Sequence, residues 1–220
     1  MPKSTGVNWW RFSPTRILEE YAARTFDRRY GTETSTFADL KALDIASEHK
    51  RHGERYQPSP VYSLRHLLRR LRIDYPAFSF IDFGSGKGRT LLIAGELPFK
   101  NVIGVEFSKE LHVLAERNIE RYPRRGAGMI RAVHADACQF EPPPDNLVLY
   151  FFNPFNRPVL SEVLANINAS LKAMPRKVIL IYLFLPNEEW LTVLDGFSLR
   201  EKWHHYCVFE NTPPLMHHAS

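Results

Sequence analysis

The sequence predicts an α/β fold: a mostly parallel, seven-stranded sheet with helices on both faces, a C-terminal antiparallel hairpin and an N-terminal helical extension. From residue 78 onward, short and almost wholly apolar runs alternate with helical segments, which is the order of parallel βαβ units. The late stretch "GFSLREKWHHYCVFE" has the pattern of two strands that pair as a hairpin. We therefore divide the chain into an extension, residues 1–77, and a sheet domain, residues 78–220.

Composition is that of an ordinary globular domain, with 44% hydrophobic and 24% charged residues in a chain of 220. No apolar run approaches the length of a membrane-spanning helix, and the opening "MPKSTGVNWWRF" lacks the apolar core of a signal peptide. We expect a cytoplasmic protein that contacts no membrane. Cys138 and Cys207 are interpreted as reduced thiols, and the nine histidines show no metal-ligand spacing, so no metal is expected.

The net charge of +5 belongs to the N-terminal third. Residues 1–80 hold 14 Lys and Arg against 9 Asp and Glu, a balance of +5, whereas residues 81–220 hold 15 of each, a balance of zero. This excess is interpreted as a solvated helical surface, and nucleic acid is a partner with only weak support.

Two helices are predicted in the extension. The first carries Ser13 as its cap and Pro14 in its first turn. Its apolar residues share one face: Ile17, Leu18, Tyr21, Ala22 and Phe26. The second helix begins near Val61, with a stripe of leucines at 64, 67, 68 and 71. Trp9 and Trp10 are expected to pack the first helix onto the core.

The sheet domain follows in order. Its predicted strands are 78–83, 101–107, 129–135, 146–152 and 177–185, followed by the hairpin. The helices between them are predicted at about 89–97, 109–121 and 157–173.

A glycine turn, "DFGSGKG", follows the first strand. A P-loop needs G-x-x-x-x-G-K-[ST], but Ile81 stands at its first glycine, and Gly88 follows Lys87. A dinucleotide-binding turn needs G-x-G-x-x-G, and Arg89 stands at its third glycine. The turn therefore disfavours both a nucleoside triphosphatase and an NAD-dependent oxidoreductase. Lys87 is then expected to face solvent.

The pattern present is D-x-G-x-G-x-G, formed by Asp82, Gly84, Gly86 and Gly88. An acid before the glycines repels a pyrophosphate and suits a ligand that is positively charged there. Glu106 stands 22 residues after Gly84 at the tip of the second strand, where an acid accepts hydrogen bonds from ribose hydroxyls. These residues predict a cationic, phosphate-free ribosyl ligand.

The third and fourth strands end in further polar residues. Asp136 follows the third strand and either accepts from an adenine amine or caps a short helix. The fourth strand ends in "LYFFNPF", where the Asn153 amide oxygen and the Pro154 carbonyl can both accept from one amine. Phe152 and Phe155 offer rings to an amine or a sulfonium, or else are core aromatics beside a proline turn.

Together, "FIDFGSGKG", "GVEFS", "HADACQF" and "YFFNPF" resemble motifs I to IV of the class I S-adenosylmethionine-dependent methyltransferases, over residues 56–210. The resemblance implies a Rossmann-like fold, S-adenosylmethionine as cofactor and S-adenosylhomocysteine as product. The layout is similar to the non-SET, disruptor-of-silencing type of lysine methyltransferase, in which "RYQPSP" would form a lid over the methionine arm. The whole chain, with "FDRRYG", also resembles uncharacterised bacterial methyltransferases.

Site residues follow from this resemblance. It implies that Asn153, Pro154 and Phe155 orient the acceptor and carry the catalytic role. It implies cofactor contacts from Tyr56, Pro58, Asp82, Gly84, Ser85, Gly86, Gly88, Glu106, Phe107, Asp136, Ala137 and Asn153.

The acceptor expected first is a protein lysine. The motif Asn-Pro-Phe is intermediate between the lysine-type motif and the Asn-Pro-Pro-Tyr/Phe motif of enzymes that methylate adenine or glutamine nitrogens. A small molecule or a nucleic-acid base is therefore the alternative acceptor. A non-catalytic S-adenosylmethionine-binding module is the alternative of another class. We expect a monomer or a homodimer.

Overall fold

The computed structural model of the chain describes residues 14–35, 57–123, 126–185, 188–191, 194, 196–203 and 205–212. Three expectations lie outside these ranges: the Ser13 cap, the packing of Trp9 and Trp10, and the Tyr56 end of the proposed lid.

Five α-helices are present in the described ranges, and they occur where the sequence predicts helices. They are α1 (Pro14–Tyr30), α2 (Val61–Arg70), α3 (Arg89–Ala94), α4 (Lys109–Arg121) and α5 (Arg157–Ala173). No helix among the described residues is long and apolar enough to cross a membrane.

Seven strands form one sheet. They are β1 (Phe78–Phe83), β2 (Asn101–Glu106), β3 (Met129–His134), β4 (Asn146–Phe152), β5 (Val178–Leu183), β6 (Phe197–Trp203) and β7 (Tyr206–Asn211). The order is β3-β2-β1-β4-β5-β7-β6. The pairs from β3 to β5 are parallel, and β7 is antiparallel to both β5 and β6. The predicted fold class is confirmed.

The strand order reverses between β1 and β4. The chain moves from β1 outward to β2 and β3, then returns to β4 on the other side of β1. At such a switch point the loops after the two strands diverge, and they leave a crevice at the carboxyl ends of the strands. The topology therefore places the glycine turn after β1 opposite the Asn153–Pro154 segment after β4.

A hydrophobic cluster covers each face of the sheet. The first contains residues of α1, α2 and α3 together with Phe80 and Tyr150. The second contains residues of α5 together with Ile81, Phe83 and Leu149. The helices of the N-terminal extension thus share one core with the sheet.

Two details differ from the sequence-based picture. Strand β3 is an edge strand and is only partly covered, so that Met129 is 54% exposed. On α1, Ala22 and Phe26 are buried, but Ile17, Leu18 and Tyr21 are exposed. The expectation that all five residues pack on one face was wrong, because α1 meets the core through its C-terminal half, where Phe26 stacks on Tyr122 at 5.5 Å.

Replacing Phe26 by alanine is expected to lower the free energy of unfolding by about 3–5 kcal/mol, the usual cost of deleting a buried aromatic ring. Tyr21→Ala, on the exposed face of the same helix, should change it by less than about 0.5 kcal/mol. Urea unfolding monitored by circular dichroism measures both changes. Equal losses for the two variants would contradict the packing of α1.

Candidate active site

A cavity of about 360 Å³ lies at the carboxyl ends of β1, β2, β4 and β5, a volume within the range of small-molecule sites. The predicted site residues that line it are Asp82, Gly84, Ser85, Gly86, Glu106, Phe107, Asn153, Pro154 and Phe155. The other lining residues are Gln57, Ser59, Arg89, Thr90, Leu111, Phe152 and Phe184. The structure therefore brings the first, second and fourth sequence motifs together around one space.

The glycine turn needs glycine for two reasons. Gly84 and Gly86 have φ values of +79° and +53°, a region that side chains with a Cβ rarely adopt. A Cβ on Gly84 would also lie 2.7 Å from the Pro154 Cβ, which is closer than such atoms approach. The turn after β1 and the segment after β4 are thus in direct contact.

Gly88 has a different position from the other two. It does not line the cavity but stands at the start of α3, where an added Cβ would lie 3.1 Å from the Ala115 Cβ of α4. Its φ of +83° also favours glycine. Gly88 allows α4 to pack closely against the turn.

Glu106 ends β2 and is 3% exposed. One carboxylate oxygen accepts from the Gly86 amide at 2.7 Å, and the other accepts from the Ser108 amide at 2.9 Å. Burial raises the pKa of this carboxyl to about 7, although the amides of Ser108, Gly86 and Phe107 oppose the shift. These bonds fix the carboxylate at the cavity wall.

Asp82 belongs to β1 and is also 3% exposed. Burial raises the pKa of its carboxyl to about 8; a hydrogen bond from Thr90 lowers it, and the charge of Glu106 raises it further. Two acids with raised pKa values therefore share one cavity. Such a cavity favours a positively charged ligand, which relieves the repulsion between the two carboxylates.

A chain of hydroxyl groups reaches Asp82 through its hydrogen bond with Thr90. The hydroxyl oxygens of Ser59 and Thr90 lie 3.0 Å apart, and the Tyr150 hydroxyl donates to Ser59 at 3.1 Å. Ser59 is 5% exposed and stands just before α2, so it joins the segment before that helix to α3 and β4. Ser59 and Thr90 were missed at the sequence level, although Ser59 follows Pro58 within the "RYQPSP" segment.

The cations of the turn, Lys87 and Arg89, are bound by residues 33–35, and Arg89 also lines the cavity. Lys87 is 4% exposed and its Nζ lies 3.1 Å from a carboxylate oxygen of Glu33, so the expectation that it faces solvent was wrong. Arg89 donates to the hydroxyls of Thr34 at 2.8 Å and Ser35 at 2.7 Å. The loop after α1 binds both side chains, and this is why they are buried.

Asn153 and Phe184 stand at the tips of β4 and β5 in strained backbone conformations. Asn153 has φ of +41° and Phe184 has φ of +57°, values that are uncommon outside glycine. Phe155 is 8% exposed and belongs to the second hydrophobic cluster, so it reaches the cavity from the core.

Besides Gly88, three predicted residues in the described ranges do not line the cavity. The Asp136 carboxylate accepts from the Cys138 amide at 2.9 Å, so it caps the short helix that contains Ala137. Pro58 is partly buried between two lining residues, Gln57 and Ser59. Within the described ranges, no group of three or more His, Cys, Asp or Glu residues is placed to hold a metal ion.

Comparison with known proteins rests on structure alone. No protein-family model matches the sequence, and no curated protein matches it at a significant level.

Several solved structures share the fold. The ribosomal protein L11 methylase from Lactobacillus delbrueckii subsp. bulgaricus superposes with a TM-score of 0.52 at 16% identity, over 72% of this chain and 80% of that one. The PH0226 protein from Pyrococcus horikoshii OT3 gives 0.53 at 16% identity, over 79% and 94%.

A predicted N6-adenine-specific DNA methylase from Listeria monocytogenes gives a TM-score of 0.52 at 14% identity, over 71% of this chain and 52% of that one. At these identities the likeness concerns architecture, and it agrees with the strand order and the terminal antiparallel hairpin described above. The chain has the fold of the class I S-adenosylmethionine-dependent methyltransferases.

Proposed function

We propose that this protein is an S-adenosylmethionine-dependent methyltransferase that transfers a methyl group to a nitrogen atom, with the side chain of a protein lysine as the favoured acceptor. One observation carries the proposal. The buried acids Asp82 and Glu106 share a cavity with Asn153 and Pro154, and Gly84 is packed directly against Pro154. A cation-binding half and an amine-binding half are therefore adjacent. We further propose a cytoplasmic monomer or homodimer.

The residues fit this cofactor, which is cationic and has no phosphate. The acids supply negative charge inside the cavity, Lys87 is bound to Glu33 outside the lining, and the guanidinium of Arg89, although it lines the cavity, already donates to Thr34 and Ser35. A phosphate ligand would need the opposite arrangement, with cations directed inward. The backbone at Gly84 and Gly86 is open to close approach because no Cβ intervenes.

Each side chain has a proposed task. Glu106 holds ribose hydroxyls, and Asp82 holds the ammonium group of the methionine moiety. Phe107 lies along the adenine. The segment from Tyr56 to Pro58 covers the methionine arm. Gly84 and Gly86 make their contacts through the backbone.

Bound in this cavity, S-adenosylmethionine would supply a methyl group on its sulfonium. An acceptor amine that has first given a proton to solvent would form the N–C bond as the S–C bond breaks, leaving a methylated ammonium and S-adenosylhomocysteine. Asn153 and the Pro154 carbonyl accept hydrogen bonds from the acceptor amine and direct its lone pair. Positioning of this kind supplies much of the rate gain when the nucleophile is neutral.

Replacing Glu106 by alanine should weaken S-adenosylmethionine binding by about 1–3 kcal/mol, because the ribose hydroxyls lose their acceptor. Isothermal titration calorimetry measures the change, with Glu141→Ala, at an exposed site outside the cavity lining, as the control. Unchanged affinity in Glu106→Ala would remove this residue from the site.

Replacing Asn153 should reduce turnover without loss of cofactor binding. Glycine accepts φ of +41° and is the better substitution, because alanine would retain the backbone strain. We expect Asn153→Gly to lower methyl transfer by on the order of 100-fold and to bind S-adenosylmethionine within about twofold of the unaltered protein. A parallel loss of binding and thermal stability would indicate a folding role instead.

Binding of S-adenosylmethionine should tighten as the pH rises from 6 to 8.5. The pKa values of Asp82 and Glu106, about 8 and about 7, leave protons on the empty site that a cationic ligand must displace. Calorimetry in buffers of different ionisation enthalpy measures the protons released. Asp82→Asn should flatten the pH dependence, and an unchanged slope in this variant would contradict the assignment.

The same carboxyls have a consequence for the empty protein. Their folded pKa values lie above the unfolded values, so the folded state binds more protons and the free energy of unfolding should fall as the pH rises from about 4 to about 8. Asp82→Asn should be less sensitive to pH over this range, measured by chemical denaturation. Because Asp27 and His112, whose pKa values are lowered, also contribute to the total, the comparison with Asp82→Asn decides: an equal pH dependence in the two proteins would contradict the raised pKa of Asp82.

Two experiments test the function itself. Thermal shift with S-adenosylmethionine, S-adenosylhomocysteine and NAD identifies the cofactor, and a shift with NAD alone would overturn the proposal. Transfer of a radiolabelled methyl group to cell extract, fractionated into protein, nucleic acid and small molecules, identifies the acceptor class. Binding without transfer to any fraction would favour a non-catalytic binding module.

A further inference from the structure

We propose that Phe184 and His205, together with Phe152, form the wall along which an acceptor lysine side chain reaches Asn153. This inference rests on the proposed methyltransferase function and assigns the acceptor entrance of the same site. Neither Phe184 nor His205 is among the site residues predicted from the sequence.

The sheet order separates the two halves of the cavity. Strand β2 lies on one side of β1, and β4 and β5 lie on the other. The charged lining residues, Asp82, Glu106 and Arg89, come from β1, β2 and the start of α3. The lining residues that follow or end β4 and β5 are uncharged: Phe152, Asn153, Pro154, Phe155 and Phe184. The half of the cavity beside Asn153 therefore offers rings and an amide to an acceptor.

Three rings form a continuous row in this half. The Phe152 and Phe184 ring centroids are 5.8 Å apart, and those of Phe184 and His205 are 4.6 Å apart and nearly parallel. The Phe184 amide donates to the His205 carbonyl oxygen at 2.9 Å, which joins the end of β5 to the turn between β6 and β7. The row runs from the cavity wall to the surface, where Phe184 is 40% exposed.

Phe184 is unfavourable for stability in two respects. Its φ of +57° is a conformation that suits glycine, and a large part of its ring remains in water. Residues held in such conformations cluster at sites that contact ligands. A ring kept here despite both costs points to contact with a ligand.

The chemistry of the row suits a lysine side chain. Its methylene groups pack on ring faces, and its amino group is attracted to the same faces when charged. A nucleobase would instead need a broad platform beside the Asn-Pro segment. The ring at that position, Phe155, is 8% exposed and packed in the core. The exposed rings thus favour a narrow, linear amine over a flat base.

The experiment compares three variants. Phe184→Gly removes the ring and suits the backbone at φ of +57°, so it is expected to fold. His205→Ala removes the outer ring of the row. Met174→Ala is the control, because Met174 is 49% exposed. It lies between α5 and β5, near the amino end of β5, whereas the cavity lies at the carboxyl ends of the strands. For each protein we measure S-adenosylmethionine affinity by calorimetry and methyl transfer to a bacterial cell extract by radiolabel.

We expect label in the protein fraction, as methyl-lysine after acid hydrolysis. Phe184→Gly should reduce it at least tenfold and His205→Ala at least threefold, while both variants bind S-adenosylmethionine within about twofold of the unaltered protein and Met174→Ala changes neither quantity. Undiminished labelling by Phe184→Gly, or label in nucleic acid, would overturn the inference while leaving the methyltransferase function intact. Absence of cofactor binding or of any transfer in the unaltered protein would overturn the proposed function, and the inference with it.

Discussion

The burial of two carboxyl groups at neighbouring strand ends is the constraint on which the rest of this site depends. Removing a charge from water is costly unless polar partners replace the water. Glu106 obtains the amides of Gly86 and Ser108, and Asp82 obtains the hydroxyl of Thr90. The partners satisfy the acids only in part, since burial still raises both pKa values. The residual demand for positive charge is the physical basis of the cationic ligand that we propose for this cavity.

The N-terminal helices take part in this arrangement. Asn118 of α4 donates to the Lys87 carbonyl at 2.9 Å and accepts from the Glu33 amide at 2.8 Å, so that one side chain joins the glycine turn to the loop after α1. Glu19 of α1 accepts from the amide of Ser63 at 2.8 Å and stabilises the start of α2. Ser59, just before α2, then contacts Thr90. The N-terminal extension is therefore hydrogen-bonded to the glycine turn through Asn118 and to the start of α3 through Ser59.

The two halves of the cavity differ in how they are held. The acidic half rests on glycine backbone, whose positive φ values carry little penalty. The half beside β4 and β5 holds Asn153 and Phe184 at positive φ, which is costly for residues with side chains. Backbone strain is therefore concentrated in the half to which we assign the acceptor. The half to which we assign the cofactor has little backbone strain, because its positive φ values fall on glycines.

The sequence by itself determined the order of helices and strands, the parallel sheet with its terminal hairpin, and the grouping of Asp82, Glu106 and Asn153. These depend on local patterns and on the rule that parallel strands end at one edge. Tertiary structure alone decided that Lys87 is buried, that Tyr21 is exposed, and that Ser59 supports Asp82. It also brought Phe184, which follows β5, against His205, which precedes the paired strand β7. Each depends on which distant segments pack together, and a contact between residues far apart in the chain leaves no periodicity in the sequence.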